Sequence, residues 1–199
     1  MKRSPLLATL VFALIHVSAF AAEPLTETDR EKLLAHLDIS ANAFLESVKG
    51  LTDAQWNYRA AEGRWTIAEV AEHITAAEAM MRDAAVNATK TPAAADVLAD
   101  ARKDDIILGL ANRDRKFQAP EPLVPTNRFQ SPAATIERFE KERAETRKMA
   151  RNGGDLRSFA AKGPAGNLDA YGWLLFTSVH TVRHTKQIEE VKASPGFPR

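Results

Sequence analysis

The chain has 199 residues, 45% of them apolar and 27% charged, which excludes a disordered or collagen-like polymer and leaves enough apolar side chain for one core in one or at most two domains. Lys plus Arg (27) nearly balance Asp plus Glu (26) and the signs are interspersed, which excludes the basic stripe of a nucleic-acid binder. With no cysteine, disulfides, thiolate metal ligands, a cysteine nucleophile and a lipidated cysteine are all excluded, so any metal must be held by His, Asp or Glu.

Lys2 and Arg3 precede a mostly apolar run from Leu6 to Val17, and Ala19-Phe20-Ala21 places small residues where a signal peptidase reads them. Residues 1–21 therefore read as a cleaved export signal rather than a membrane anchor. The run is shorter than the ~20 residues a spanning helix needs and is interrupted by Thr9, His16 and Ser18. The expected mature chain begins at Ala22, is periplasmic or secreted, has no stable membrane insertion, and keeps four histidines: His36, His73, His180 and His184.

After Pro24, helix follows helix. Thr28-Asp29-Arg30-Glu31 has capping-box spacing, and Leu33, Leu34, Leu37, Ala41, Phe44, Leu45 and Val48 keep one apolar face until Gly50. Thr66-Ile67-Ala68-Glu69 repeats the box and opens a second core helix over about 66–89, with Ile67, Val70, His73, Ile74, Ala77 and Met81 spaced by three and four. A weaker helical stretch over 95–113 follows, and then Pro120, Pro122 and Pro125 force an extended connection, expected across one end of the bundle. Ser131-Pro132 caps a highly charged third core helix that ends at Gly153-Gly154, its sparse apolar residues Ile136, Phe139 and Met149 predicting a mostly solvated outer side. Asp169 can cap the fourth, whose Leu174, Leu175, Val179, Val182, Ile188 and Val191 precede the breaker Ser194-Pro195-Gly196. No strand or repeat is expected. The predicted fold class is all-α: a four-helix bundle with an additional short helix and a proline-rich loop between core helices two and three, in a single domain over 22–199.

Bundles build cofactor sites from inward-facing polar side chains on facing helices. At about 100° and 1.5 Å per residue, His180 and His184 differ by only about 40° in direction and about 6 Å in rise, so both can reach one ion. Gln187 falls on the same stripe, about 20° from His180, and can orient a ligand or contact a substrate. His73 sits within the apolar series of its helix and should face the core. A lone core histidine or an isolated His-x-x-x-His pair is often without a ligand. Burying three imidazoles unpaired, however, costs on the order of a few kcal/mol each, whereas one divalent cation satisfies all three. His36, beside Leu33, Leu34 and Leu37, has no partner in sequence and reads as structural.

The block from Trp65 to Ile74, WTIAEVAEHI, followed about a hundred residues later by His180-Thr181-Val182-Arg183-His184-Thr185-Lys186-Gln187-Ile188, resembles the DinB-like (YfiT-type) superfamily of four-helix metalloproteins. The order also agrees, with one histidine in the second core helix and two in the fourth. The resemblance spans about residues 28–193 and implies a divalent metal held by His73, His180 and His184 with open positions for water or substrate. Residues 90–130 match no recognised motif and are where substrate preference is expected to reside.

Three neutral imidazoles leave the full +2 on the ion, so a bound water becomes acidic, with a pKa approaching about 7 for zinc. Zinc, nickel and iron all suit the set, as does copper, although the lack of thiolate argues against copper(I). Glu69, one turn before His73, is the nearest candidate acid or base, but its capping-box role is the favoured reading. Trp65 and Trp173 can wall a pocket, with buried packing the commoner role for such residues. Three functions stay open. One is a metal-dependent hydrolase, or a transferase or isomerase that activates a thiol, acting on a small-molecule substrate. The second is a non-catalytic periplasmic metal-binding or stress-related protein. The third is a helical scaffold or homodimerisation module with no metal.

Overall fold

The structure, a computed structural model, describes residues 24–90, 92–163 and 166–199; the expected signal segment and cleavage point lie outside them. Four long helices form the bundle: α1 (Glu27–Val48), α3 (Ile67–Ala88), α6 (Pro132–Asn152) and α7 (Ala170–Lys192). The shorter α2 (Asp53–Trp56), α4 (Ala95–Ala101) and α5 (Asp104–Gly109) and a 3-10 turn (Glu121–Leu123) occupy the connections. α7 packs between α1 and α3, and α6 closes the ring against the same two helices, so α6 and α7 are diagonal. This is the predicted all-helical bundle. No helix among the described residues is long and apolar enough to cross a membrane.

The helix starts follow capping chemistry. At α3 the Thr66 hydroxyl accepts from the Glu69 N–H while the Glu69 carboxylate accepts from the Thr66 N–H at 2.7 Å, as expected. At α1 the box forms two residues earlier than the sequence suggested, between Thr26 and Asp29. The reason is tertiary: Leu25 packs on the core and its N–H reaches Asp155, so the chain is already anchored where Thr26 can cap. Gly50 then takes the left-handed conformation, φ 69°, that ends the first helix.

Three further departures have physical causes. The stretch 95–113 is two short helices, α4 and α5, rather than one, because the chain leaves helical geometry at Arg102 (ψ 83°). The short α2 has its own capping box, Thr52 with Gln55, and buries Trp56 in the core. Where no strand was expected, β1 (Ala160–Gly163) and β2 (Gly166–Asp169) pair antiparallel, with Ala160 opposite Asp169 and Gly163 opposite Gly166. These strands are four residues each and carry no alternating apolar pattern, so periodicity cannot reveal them. Packing holds them: a Cβ on Gly163 would lie 2.7 Å from the Trp173 ring, so only glycine lets β1 approach α7 this closely.

The core is divided by a polar layer. One apolar cluster gathers Leu33, Leu37, Met81, Leu156, Trp173 and Leu174; the other gathers Phe44, Ile67, Ile74, Phe139 and Ile188, with the Phe44 and Phe139 rings edge-to-face at 4.6 Å. Between them, buried Arg143 of α6 makes a two-pronged ion pair with Glu78 of α3 (2.7 and 2.8 Å) and also donates to Thr181 of α7 and to Ser40 and the Leu37 carbonyl of α1. One guanidinium thereby touches all three other bundle helices, and a one-turn slip of any of them would strand a buried charge. The side of α6 that faces outward is solvated, as predicted, but its inner face is polar as well, carrying Thr135, Glu142, Arg143 and Thr146 beside Phe139.

Candidate metal centre

α3 and α7 run antiparallel, which places the first turns of α3 beside the second half of α7 and its midpoint. His73, on the inner face of α3, meets His180 and His184 there. One nitrogen from each ring lies within 4.8 Å of the others. His73 Nε2 and His180 Nε2 are 3.1 Å apart, and the ring centroids are separated by 4.9 Å (His73–His180), 4.4 Å (His73–His184) and 4.4 Å (His180–His184). Two imidazole nitrogens at about 2.05 Å from one tetrahedral ion would stand about 3.3 Å apart, so the spacing fits a shared ligand. All three predicted ligand residues are brought together. His36 is not among them and sits half-buried on α1.

Hydrogen bonds fix which nitrogens are free. His73 Nδ1 lies 2.9 Å from the Leu123 carbonyl, which can only accept, so Nδ1 carries the proton and Nε2 the lone pair. His184 Nδ1 lies 2.9 Å from Gln187 Oε1, and the same oxygen accepts from Arg113 at 3.2 Å, which settles the amide orientation and leaves the His184 Nε2 lone pair free. Gln187 thus orients the His184 ring, as its place on the stripe suggested, and Arg113 is itself held by Glu190 at 2.6 and 3.0 Å.

Electrostatics keep the rings neutral. Burial pushes the His73 pKa down, offset in part by the Leu123 bond, with Arg128 adding to the depression. For His180 burial again dominates and holds it well below its ordinary value, with His184, His73 and Arg183 adding to the effect. Burial and the neighbouring His73 pull His184 down to about 3. Neutral imidazoles with pinned Nδ1–H groups are the protonation state that a divalent cation requires. The donor set can therefore hold a divalent metal ion.

Glu69 does not join the cluster. Burial raises its carboxyl, but bonds from Arg59 (2.8 Å) and Thr66 bring it below the usual range, so it is an ionised cap. Trp65 packs against the His73 ring with centroids 4.9 Å apart, whereas Trp173 is a core residue lying against Phe176. A cleft of about 410 Å³ opens between the starts of α3 and α6 and the proline-rich connection; Glu72 and Thr126 line it, but none of the three histidines does.

Sequence reasoning missed what the connection between α5 and α6 contributes. It crosses the end of the bundle where α3 begins and α7 ends, as expected, but it also supplies Leu123 O to His73 and Arg113 to Gln187. Arg183, between His180 and His184, donates to the carbonyls of Leu110 (3.1 Å), Asn112 and Arg115 and stacks over Phe117 at 5.0 Å, which holds this segment down. A backbone carbonyl leaves no mark in a sequence. The side-chain signal was Glu72, a carboxylate directly before His73 that the helix also buries.

A helical bundle with three convergent histidines on two adjacent helices defines a class, the four-helix proteins with a metal-competent centre at one end. The DinB superfamily profile matches residues 36–188, more than half of the chain, and the protein belongs to that superfamily. Neither a curated protein nor a solved structure gives a significant match.

Proposed function

We propose that the protein is exported as a single domain over 22–199, binds a divalent cation (zinc, nickel or iron) through His73, His180 and His184, and acts on a small molecule as a metal-dependent hydrolase or a transferase or isomerase. The observation that carries this reading is the convergence of three neutral imidazoles, two of them with Nδ1–H tied to an acceptor. Three protein ligands leave room for a reacting group, unlike a structural zinc site closed by four. When bound, such an ion supplies Lewis acidity to whatever fills the remaining positions.

The chain's own part is to orient and to exclude. Leu123 O and Gln187 aim the rings, Trp65 covers His73, and Arg183, which donates to backbone carbonyls, sets positive charge beside the cluster, whereas Arg113 and Arg128 are paired with Glu190 and Glu72. That field favours an anionic or polarised group over a cation as the substrate's binding end. Metal analysis of purified protein, followed by a turnover screen against esters, amides and thiol adducts, tests the reading. Bound metal with substrate-dependent turnover supports it, and metal-free protein overturns it.

One observation favours a second reading, a periplasmic metal-binding protein without turnover. Both carboxylates nearest His73 in sequence are fully engaged, Glu69 by Thr66 and Arg59 and Glu72 by Arg128, so neither is free to move a proton. Metal content without turnover in the same screen selects it.

A further inference from the structure

We propose that Glu72 is a positioning residue for the metal centre: with Arg128 it locks the proline-rich connection so that the Leu123 carbonyl holds His73 in its Nδ1–H form. The inference deepens the metal reading above and rests on it.

Glu72 precedes a ligand in sequence, yet it faces away from the cluster and is 5% exposed. Its carboxylate is used up by one short segment. Oε1 accepts from the Thr126 N–H at 2.7 Å and from Arg128 Nε at 2.7 Å, and Oε2 accepts from the Arg128 N–H at 3.2 Å. The Arg128 guanidinium then folds back, donating to the Pro122 carbonyl at 3.2 Å and the Val124 carbonyl at 2.8 Å. Those two peptide groups bracket Leu123, whose own carbonyl is 2.9 Å from His73 Nδ1 while its side chain is buried in the core. The carbonyl that selects the His73 tautomer is thus clamped on both sides by an arginine, and the arginine is clamped by the carboxylate next to His73. Asn127, between the two anchor residues, takes the left-handed φ of 60° that asparagine tolerates better than other non-glycine residues, which lets the chain turn tightly back to Arg128.

Without this lock the Leu123 carbonyl can drift, His73 can place its proton on either nitrogen, and the lone pair on Nε2 is no longer guaranteed. Outer partners that orient a metal-bound histidine typically contribute about 10–100-fold in metal affinity, which sets the expected effect. Among the described residues, the other buried carboxylates lack this link. Glu142 is also paired with arginines, Arg82 at 2.6 Å and Arg138 at 2.6 Å, but on α6 and away from the connection.

The test uses the mature protein, zinc(II) as the probe, and the variants Glu72→Gln, Arg128→Lys and, as a matched comparison, Glu142→Gln. Glu72→Gln keeps size but removes the charge that holds Arg128; Arg128→Lys keeps the charge but cannot span both carbonyls, and remains testable if Glu72→Gln does not fold. Calorimetric zinc affinity is read together with long-range ¹H–¹⁵N spectra of the metal-free histidines, which distinguish the tautomers and which a purely structural role would not move. The expected result is a 10–100-fold weaker zinc affinity and a mixed His73 tautomer in both strap variants, with Glu142→Gln unchanged in both readouts. Folded strap variants that bind zinc like the parent and keep His73 as pure Nδ1–H overturn the inference. If the parent itself binds no zinc, the metal reading has failed, and the His73 tautomer in the metal-free variants still decides the strap: mixed supports it, pure Nδ1–H overturns it.

Discussion

Acidification of the metal-free protein should weaken it in a window set by the histidine cluster. His184 is pulled down to about 3 in the folded protein by burial and by His73, while in the unfolded chain an unperturbed imidazole titrates at ~6.5. Between those values the unfolded state binds a proton that the folded state refuses, so stability falls as pH drops through 6.5 and the loss saturates near pH 3. At pH 5 the unfolded chain lies about 1.5 pH units below its imidazole pKa, and the loss from His184 alone is about 2 kcal/mol. His73 and His180 shift in the same direction and add to it. Carboxylates held below their usual range, Glu190 by Arg113 and Asp29 by Thr26, contribute losses of the same sign only below about pH 4.5, so they do not enter this comparison, whereas Asp169, which burial raises, acts with the opposite sign and offsets part of the loss. Urea unfolding in excess chelator at pH 7.5 and 5.0 measures the difference. An unfolding free energy that is equal at the two values, or larger at pH 5.0, refutes the buried, neutral histidine cluster.

Adding zinc at 100 times its dissociation constant should raise the unfolding free energy at pH 7.5 by about 2.7 kcal/mol, read as a shift of the urea midpoint, and the gain should fade toward pH 5 as protons compete for the rings. Arg143→Ala leaves Glu78 buried without its partner across the centre of the bundle and should cost about 3–5 kcal/mol by denaturant titration. Thr66→Ala removes the hydroxyl that accepts from the Glu69 N–H and should cost about 1 kcal/mol, measured the same way.

Periodicity and capping chemistry revealed the long helices because each buries one stripe, and they placed His73 correctly because it lies within an apolar series at spacings of three and four. The same logic brought His180, His184 and Gln187 onto one stripe of α7. It misplaced the start of α1, where the Thr28–Glu31 spacing matches the usual box but the Leu25 contact with Asp155 and the core sets Thr26 as the cap, with Asp29 in place of the usual Glu. The β-hairpin was illegible because its strands are too short for a period and are held by Gly163 packing on Trp173. On α6 the outer side is solvated as expected, but Arg143 and Glu142 also face inward, and their cross-helix partners Glu78 and Arg82 lie on α3, where no local pattern announces them. The centre's outer contacts, Leu123 O and the Glu72–Arg128 lock, depend on the path of a loop, which side-chain spacing does not encode.

The central claim is that one metal ion is shared by three histidines from two helices. Zinc titration calorimetry on the parent, His73→Ala, His180→Ala, His184→Ala and His36→Ala tests it most directly, because His73 reaches the α7 pair only through the fold. The account predicts that tight binding is lost in the first three variants and kept in His36→Ala. A folded His73→Ala protein that binds zinc like the parent, while His180→Ala does not, would contradict it.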